Sequence, residues 1–131
     1  MAQDWIWVDL TVALTAHNEQ LAEHGGAEGV RDINMLESAM ARPLNLVAYG
    51  DPDIAELAAS YAFGIARNHP FVDGNKRTAA VVSETFLMLN GHRLGCDDVE
   101  LVTTFLSLAA GELSVEELTD WFRRHVVPDP A

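Results

Sequence analysis

The chain has 131 residues, of which 49% are hydrophobic, so it is long enough to bury one core without disulfides or a structural metal. Its formal net charge of −12 would repel phosphate backbones, which argues against direct nucleic-acid binding. The single cysteine, Cys96, excludes an intrachain disulfide and has no His or Cys at zinc spacing, which favours a reducing cytoplasm.

Two helices are predicted in the first third of the chain. Asp9 caps the first, and Gly25-Gly26 ends it. Its apolar face combines four residues at helical spacing: Leu10, Ala13, Leu14 and Leu21. The second helix starts at Asp32 and is expected to end near Arg42, because Pro43 disfavours helical geometry in the residue before it.

The segment from Pro43 to Gly50 is too short for a helix of its own and too apolar for an ordinary loop. Two interpretations have equal support. It is either a flap over a site or a loop pinned to the core by its apolar side chains.

Two strongly apolar helices are predicted in the middle of the chain. Asp51-Pro52 opens the third, which runs to about Arg67. The fourth runs from Lys76 to Asn90 and ends at Gly91. Because it is apolar nearly all round, we expect the fourth helix at the centre of the bundle.

The last two helices have clear starts. Asp97 or Asp98 opens the fifth, which runs through Val99, Val102, Leu106 and Ala109, and Gly111 closes it. Ser114 and Glu117 form a capping box that opens the sixth. Cations in its last turn complement the helix dipole, so Arg123, Arg124 and His125 are interpreted as structural.

These elements predict an all-α fold, a compact bundle of about six helices in one domain spanning residues 1–131. The start of the chain, Met1 to Leu10, has no basic segment, and no apolar run approaches the ~20 residues of a membrane span. Neither export nor membrane insertion is expected.

A polar segment between the third and fourth helices carries the candidate chemistry. Gly74-Asn75 leads into the fourth helix, whose free N–H groups, together with Lys76 and Arg77, would attract phosphate. Asp73 could hold a magnesium ion against the same phosphates. His69 offers an imidazole that can act as a general base.

Each of these residues also has an ordinary structural interpretation. A loop histidine is commonly solvated, and Asp-Gly-Asn is commonly a turn. Their combination within nine residues supplies what a nucleotide site needs, but these principles leave phosphoryl chemistry and a plain turn both open.

The run from His69 to Arg77, His-Pro-Phe-Val-Asp-Gly-Asn-Lys-Arg, resembles the signature of the Fic/Doc family, His-Pro-Phe-x-(Asp/Glu)-Gly-Asn-(Gly/Lys)-Arg. Residues 25–26, 29–32 and 111–114 resemble the Doc (death-on-curing) branch. The resemblance implies a small helical bundle with a flap.

The resemblance also implies roles for the motif. His69 would be the general base for a target hydroxyl, and Asp73 the magnesium ligand, with ATP as the second substrate. Catalysis would further involve Lys76 and Arg77. The nucleotide-binding set would be Phe71, Gly74, Asn75, Lys76 and Arg77, of which Gly74 and Asn75 form the anion hole; Phe71 also anchors the loop with Pro70.

Two positions differ from the adenylylating pattern of the family. Lys76 replaces a glycine, and Ala80 replaces an arginine that holds the terminal phosphates. Because the Doc branch shares both differences, the resemblance implies transfer of the γ-phosphoryl group of ATP to a Ser or Thr hydroxyl, in that branch a threonine of elongation factor Tu. Adenylylation of a protein hydroxyl is the second interpretation.

Other classes of function are weaker. A binding module would recognise a nucleotide or phosphopeptide without catalysis. A hydrolytic metal enzyme would need a second ligand near His69 and Asp73, whereas the remaining histidines are expected at the surface or the core edge: His17, His24, His92 and His125.

Control by a separate protein is also expected. Some Fic proteins restrain themselves with the pattern (Ser/Thr)-x-x-x-Glu-(Gly/Asn), which Thr15 to Gln20 approaches but does not match. We therefore expect a Phd-like antitoxin as partner.

Overall fold

The computed structural model describes residues 4–129. Within them lie, in chain order, α1 (Leu10–His24), α2 (Ile33–Tyr49), α3 (Ile54–Asn68), α4 (Asn75–Leu89), β1 (His92–Leu94), α5 (Asp98–Ala109), α6 (Val115–His125) and β2 (Val126–Pro128). This mostly helical architecture confirms the predicted fold class. The sequence did not indicate the antiparallel pairing of β1 with β2.

Local sequence signals start most of the helices where they were predicted. Four predicted N-terminal caps are confirmed by side-chain hydrogen bonds: Asp9, Asp32, Asp97 and Ser114. The start of α3 was predicted two residues too early. Asp53, not Asp51, caps it, because Glu56 stands at the position that completes a capping box with Asp53.

The centre of the bundle is α3 rather than α4. Ten of the fifteen residues of α3 are buried, and this helix contacts α2, α4, α5 and α6. The prediction of a central α4 is wrong, because Met88 and Leu89 near its end are exposed. Small side chains such as Ala58 and Ala62 let neighbouring helices approach α3 closely.

The predicted end of the second helix is also wrong. α2 continues through Pro43 to Tyr49, so the segment from Pro43 to Gly50 is neither a flap nor a pinned loop but mostly the last turns of a helix. An interior proline costs ~3 kcal/mol because it removes one helical hydrogen bond and clashes with the preceding turn. Packing offsets this cost: Pro43 is buried, and Ala39 lies against Gly64 of α3.

Three of the four apolar residues that indicated α5 in the sequence are exposed. Val99, Val102 and Leu106 are 75%, 54% and 49% exposed, whereas Phe105 and Leu108 are buried. Both sides of α5 are apolar, so helical spacing alone does not identify the side that faces the core. Across residues 4–129, no helix combines the length and apolar composition that crossing a bilayer requires.

Candidate active site

The N-terminus of α4 is open. Its capping position is Gly74, which adopts the left-handed conformation (φ 79°, ψ 15°) and has no side chain to accept hydrogen bonds from the first turn. The other helices in residues 4–129 each have an Asp or Ser cap. The free N–H groups of α4 and its dipole therefore favour an anion at this end.

A cleft of about 350 Å³ adjoins this helix end. Two alanines line it, Ala66 of α3 and Ala109 of α5. The other lining residues belong to the motif: His69, Val72, Asp73, Gly74, Asn75, Lys76 and Arg77. The structure thus brings the candidate base, the candidate metal ligand and both cations to one cavity.

His69 terminates α3 in a strained conformation. Among residues 4–129 it is the sole non-glycine residue with positive φ (φ 48°, ψ 55°). Arg31, whose role was not predicted, holds this end of the helix: its Nε donates to the His69 carbonyl at 2.7 Å and its Nη2 to the Asn68 carbonyl at 2.9 Å. Such strain persists only where surrounding contacts fix the backbone, and it is concentrated at functional sites.

The side chain of Asn75 ties the loop to His69. Its Oδ1 accepts from the Phe71 N–H at 3.0 Å, and its Nδ2 donates to the Phe71 carbonyl at 3.0 Å. These two bonds fix the amide orientation, so Nδ2 faces Nδ1 of His69 at 3.3 Å as a donor. The proton of a neutral His69 ring then belongs on Nε2. Only the backbone N–H of Asn75 stays available to an anion.

Asp73 presents an exposed carboxylate at the mouth of the cleft. Oδ1 accepts from the Gly74 N–H at 2.8 Å, and Oδ2 lies 3.4 Å from the N–H of Ala27. No group of three or more His, Cys, Asp or Glu side chains suited to a metal occurs in residues 4–129. A single carboxylate beside uncapped helix N–H groups that favour an anion fits Mg²⁺, which takes its other ligands from phosphates and water.

The connection between α1 and α2, residues 25–32, lies against the motif. Val30 and Phe71 form an antiparallel bridge, the N–H groups of Arg31 and Asp32 donate to the Pro70 carbonyl, and Val72 donates to Gly29. The segment that borders the site is therefore this one, and not Pro43 to Gly50 as one interpretation of the sequence held.

Phe71 does not line the cleft. Its ring is 1% exposed and stacks on His17, with ring centroids 3.8 Å apart and planes 6° from parallel. The predicted loop-anchoring role of Phe71 fits this burial, whereas a contact between its ring and a nucleotide does not. The predicted position of His17 at the surface or core edge is wrong, because this residue is buried beneath the motif.

The basic residues of the motif differ from those of α6 in whether they contact a carboxylate. Within residues 4–129 neither Lys76 nor Arg77 forms a salt bridge, so both charges are available to a ligand. By contrast, Arg123 pairs with Asp53 at 2.9 Å, and His125 contacts Glu100 at 2.9 Å. The predicted placement of Arg123, Arg124 and His125 in the last turn of α6 is confirmed.

Comparison with known proteins gives consistent results. The model of the Fic/DOC family matches residues 7–87, which include the whole motif. Protein kinase doc of Escherichia phage P1 is 35% identical over 112 residues, covering 85% of this chain and 88% of that protein. Toxin Doc of Mycolicibacterium smegmatis is 45% identical over 75 residues, which cover 56% of this chain and 58% of that toxin.

Proposed function

Since this chain belongs to the Fic/Doc family and is a Doc-like member of it, we propose that it is a toxin that transfers the γ-phosphoryl group of ATP to a Ser or Thr hydroxyl of a target protein. The observation that carries this proposal is the single cleft shared by His69, Asp73 and the uncapped N-terminus of α4. In this proposal the base, the metal ligand and the anion site all act on one phosphate bound in that cleft.

The reaction needs a lone pair on the His69 ring. The target hydroxyl oxygen attacks the γ-phosphorus, its proton passes to His69, and the bond from the γ-phosphorus to the bridging oxygen breaks to release ADP. The amide of Asn75, which faces Nδ1 as a donor, favours the neutral tautomer whose lone pair is on Nδ1. The 3.3 Å contact is long for a hydrogen bond, so the approach of a hydroxyl can open it.

The phosphates are held by the chain's own donors. The first N–H groups of α4, with Lys76 and Arg77, would hold the phosphate oxygens in line for attack. Asp73 would hold Mg²⁺, which when bound neutralises charge that develops on the transferred group. The proposed cofactor set is therefore ATP with Mg²⁺, and ATP as substrate places the activity in the cytoplasm.

The direction of nucleotide binding rests on Lys76 and Ala80. Phosphoryl transfer needs the γ-phosphate beside His69, and Lys76 at the helix end supplies a charge for it. Adenylyl transfer would place the α-phosphate there and leave the outer phosphates near α4, where Ala80 offers no charge. Both residues favour the γ-phosphoryl reaction over adenylylation.

Partners follow from the same proposal. Elongation factor Tu is the proposed target, by resemblance to the Doc branch. A toxin without a restraining segment of its own would need a separate antitoxin of the Phd kind. Toxicity of the wild-type chain when expressed alone, relieved by co-expression of a cognate antitoxin, would support this part; harmless high-level expression of folded wild type would contradict it.

The transfer reaction is tested with labelled nucleotide. Wild type, His69→Ala and Asp73→Asn are incubated with lysate, Mg²⁺ and either γ- or α-labelled ATP, and modified proteins are identified by mass spectrometry. Label from γ-labelled ATP should reach a target protein in the incubation with wild type but not in those with His69→Ala or Asp73→Asn. Transfer of the α label would replace the proposal with adenylylation, and no transfer of either label with wild-type biological effect in His69→Ala would indicate a binding module.

A further inference from the structure

His17 of α1 contacts the motif from below, although it lies 56 residues away along the chain. Its side chain is 2% exposed, and Nε2 lies 2.8 Å from the carbonyl oxygen of Asp73. A carbonyl can only accept, so Nε2 carries a proton and donates it. A buried hydrogen bond of this length holds the Asp73 peptide at a defined height above α1.

The ring of His17 also fills the space under the loop. One face stacks on Phe71. A Cβ atom at Gly74 would lie 3.6 Å and 3.7 Å from Cδ2 and Nε2 of His17, so the backbone of Gly74 rests against the ring edge. Three features of the motif, namely the Phe71 ring, the Asp73 carbonyl and the Gly74 backbone, therefore depend on one imidazole.

We propose that His17 is a positioning residue, which fixes the Asp73–Gly74 peptide so that the Asp73 carboxylate and the first N–H groups of α4 face the same cleft. This inference rests on the proposed function, because it assigns Asp73 to Mg²⁺ and α4 to phosphate. The carboxylate of Asp73 is exposed, and its contacts come from the N–H groups of Gly74 and Ala27. Rotation of the Asp73–Gly74 peptide would move the carboxylate and the Gly74 N–H together.

A purely structural histidine would contribute packing and nothing specific to metal binding. Two substitutions separate these roles. His17→Phe keeps an aromatic ring on Phe71 but cannot donate to the Asp73 carbonyl. His17→Gln loses the stack but places an amide N–H close to the position of Nε2. His24→Phe is the matched control, because His24 lies on the same helix with its side chain 41% exposed.

Mg²⁺ dependence is the readout that packing alone would not change. Loss of an outer contact that orients a metal-binding residue typically costs about 10- to 100-fold in metal affinity, and His17 makes such a contact with the Asp73 backbone. For folded His17→Phe we expect at least a ~10-fold rise in the Mg²⁺ concentration that half-saturates phosphoryl transfer. The fall in kcat should be larger than the change in the KM for ATP. His17→Gln should restore most of the wild-type Mg²⁺ dependence, and His24→Phe should match wild type.

Binding measurements keep the inference separate from the proposed reaction. Titration calorimetry with Mg²⁺ and a non-hydrolysable ATP analogue requires no turnover, and the His17→Phe defect should appear there as well. If wild type transfers no phosphate but its Mg²⁺-dependent analogue binding is weakened by His17→Phe and rescued by His17→Gln, the proposed reaction fails while the positioning role stands. Folded His17→Phe with wild-type Mg²⁺ dependence, or His17→Gln as defective as His17→Phe, would overturn it.

Discussion

Gly26 faces Asp73 so closely that a Cβ atom at position 26 would lie 2.8 Å from Oδ2 of the carboxylate. The α1–α2 connection is therefore shaped around the candidate metal ligand. Gly26 has φ of +126°, and its neighbour Gly25 has φ of +76° with open space within 4 Å of where a Cβ atom would lie. The pair offers a substitution with the contact and one without it.

We expect Gly26→Ala to lower phosphoryl transfer by about tenfold or more, because the added methyl group displaces the Asp73 carboxylate from its place. Gly25→Ala also places a side chain at positive φ but without a contact, so it should lose stability without this loss of rate. Initial rates at several Mg²⁺ concentrations, with urea unfolding for both variants, measure the difference. Equal rates in the two variants would show that the close approach to Asp73 is irrelevant to activity.

His69→Ala should lower the rate of transfer by at least the ~10²-fold typical of losing a general base. Stability should change little, because His69 is exposed. His69→Asn is a useful companion, since asparagine tolerates the left-handed conformation of this position but supplies no base. Near-normal turnover by either folded variant would exclude His69 as the base.

Arg31→Ala should weaken the end of α3 and loosen His69. Two hydrogen bonds to the carbonyls of Asn68 and His69 disappear, so we expect a loss of about 1 kcal/mol in the free energy of unfolding and a lower kcat. Arg31→Lys can replace one bond and should be intermediate in both. If both variants lose activity but their stability and kcat do not fall in the order wild type, Arg31→Lys, Arg31→Ala, a direct contact of Arg31 with substrate would be indicated.

Gly64→Ala should destabilise the bundle although alanine favours helices by ~1 kcal/mol. Its Cβ would lie 3.1 Å from Cα and 3.2 Å from Cβ of Ala39, and 2.8 Å from Cδ of Arg42. Overpacking of this kind costs ~1–3 kcal/mol, so the net change in unfolding free energy should be a loss. In a double-mutant cycle with Ala39→Gly, part of the loss should be recovered; strict additivity would mean that α2 and α3 do not meet here.

Asp53 links the start of α3 to Arg123 of α6, and its contribution should depend on pH. Burial alone would raise the pKa of Asp53, but hydrogen bonds from Arg123 and the Glu56 N–H and the charge of Arg123 outweigh it and lower the pKa below 3.8. A lowered folded-state pKa stabilises the fold above the ordinary pKa, and this stabilisation is lost as pH falls through the folded-state value.

Two variants test this assignment. Asp53→Ala should lose about 1 kcal/mol near neutral pH through the missing cap alone. Asp53→Asn keeps a capping oxygen and loses the charge, so its deficit should be smaller and should shrink further as pH falls below 3.8. Urea unfolding at neutral and acid pH measures both, and a deficit of Asp53→Asn that grows on acidification would contradict the pairing.

Local signals determined much of this protein. Helix starts at Asp9, Asp32, Asp97 and Ser114 depend on a side chain and an N–H within three positions, so the sequence alone predicts them. The motif from His69 to Arg77 is equally local, because its glycine turn, cations and carboxylate lie within nine residues. Its assignment as the candidate site therefore required no tertiary information.

Contacts between distant segments decided the rest. Packing against α3 allows α2 to continue past Pro43. The arrangement of the bundle decides that Phe105 and Leu108 form the buried side of α5. The tertiary fold also places His17 under Asp73. Each outcome depends on side chains that are far apart along the chain, whose approach neither helical periodicity nor capping encodes. The chain's local chemistry therefore specified the elements and the motif, whereas burial and close approach in three dimensions decided how the site is supported.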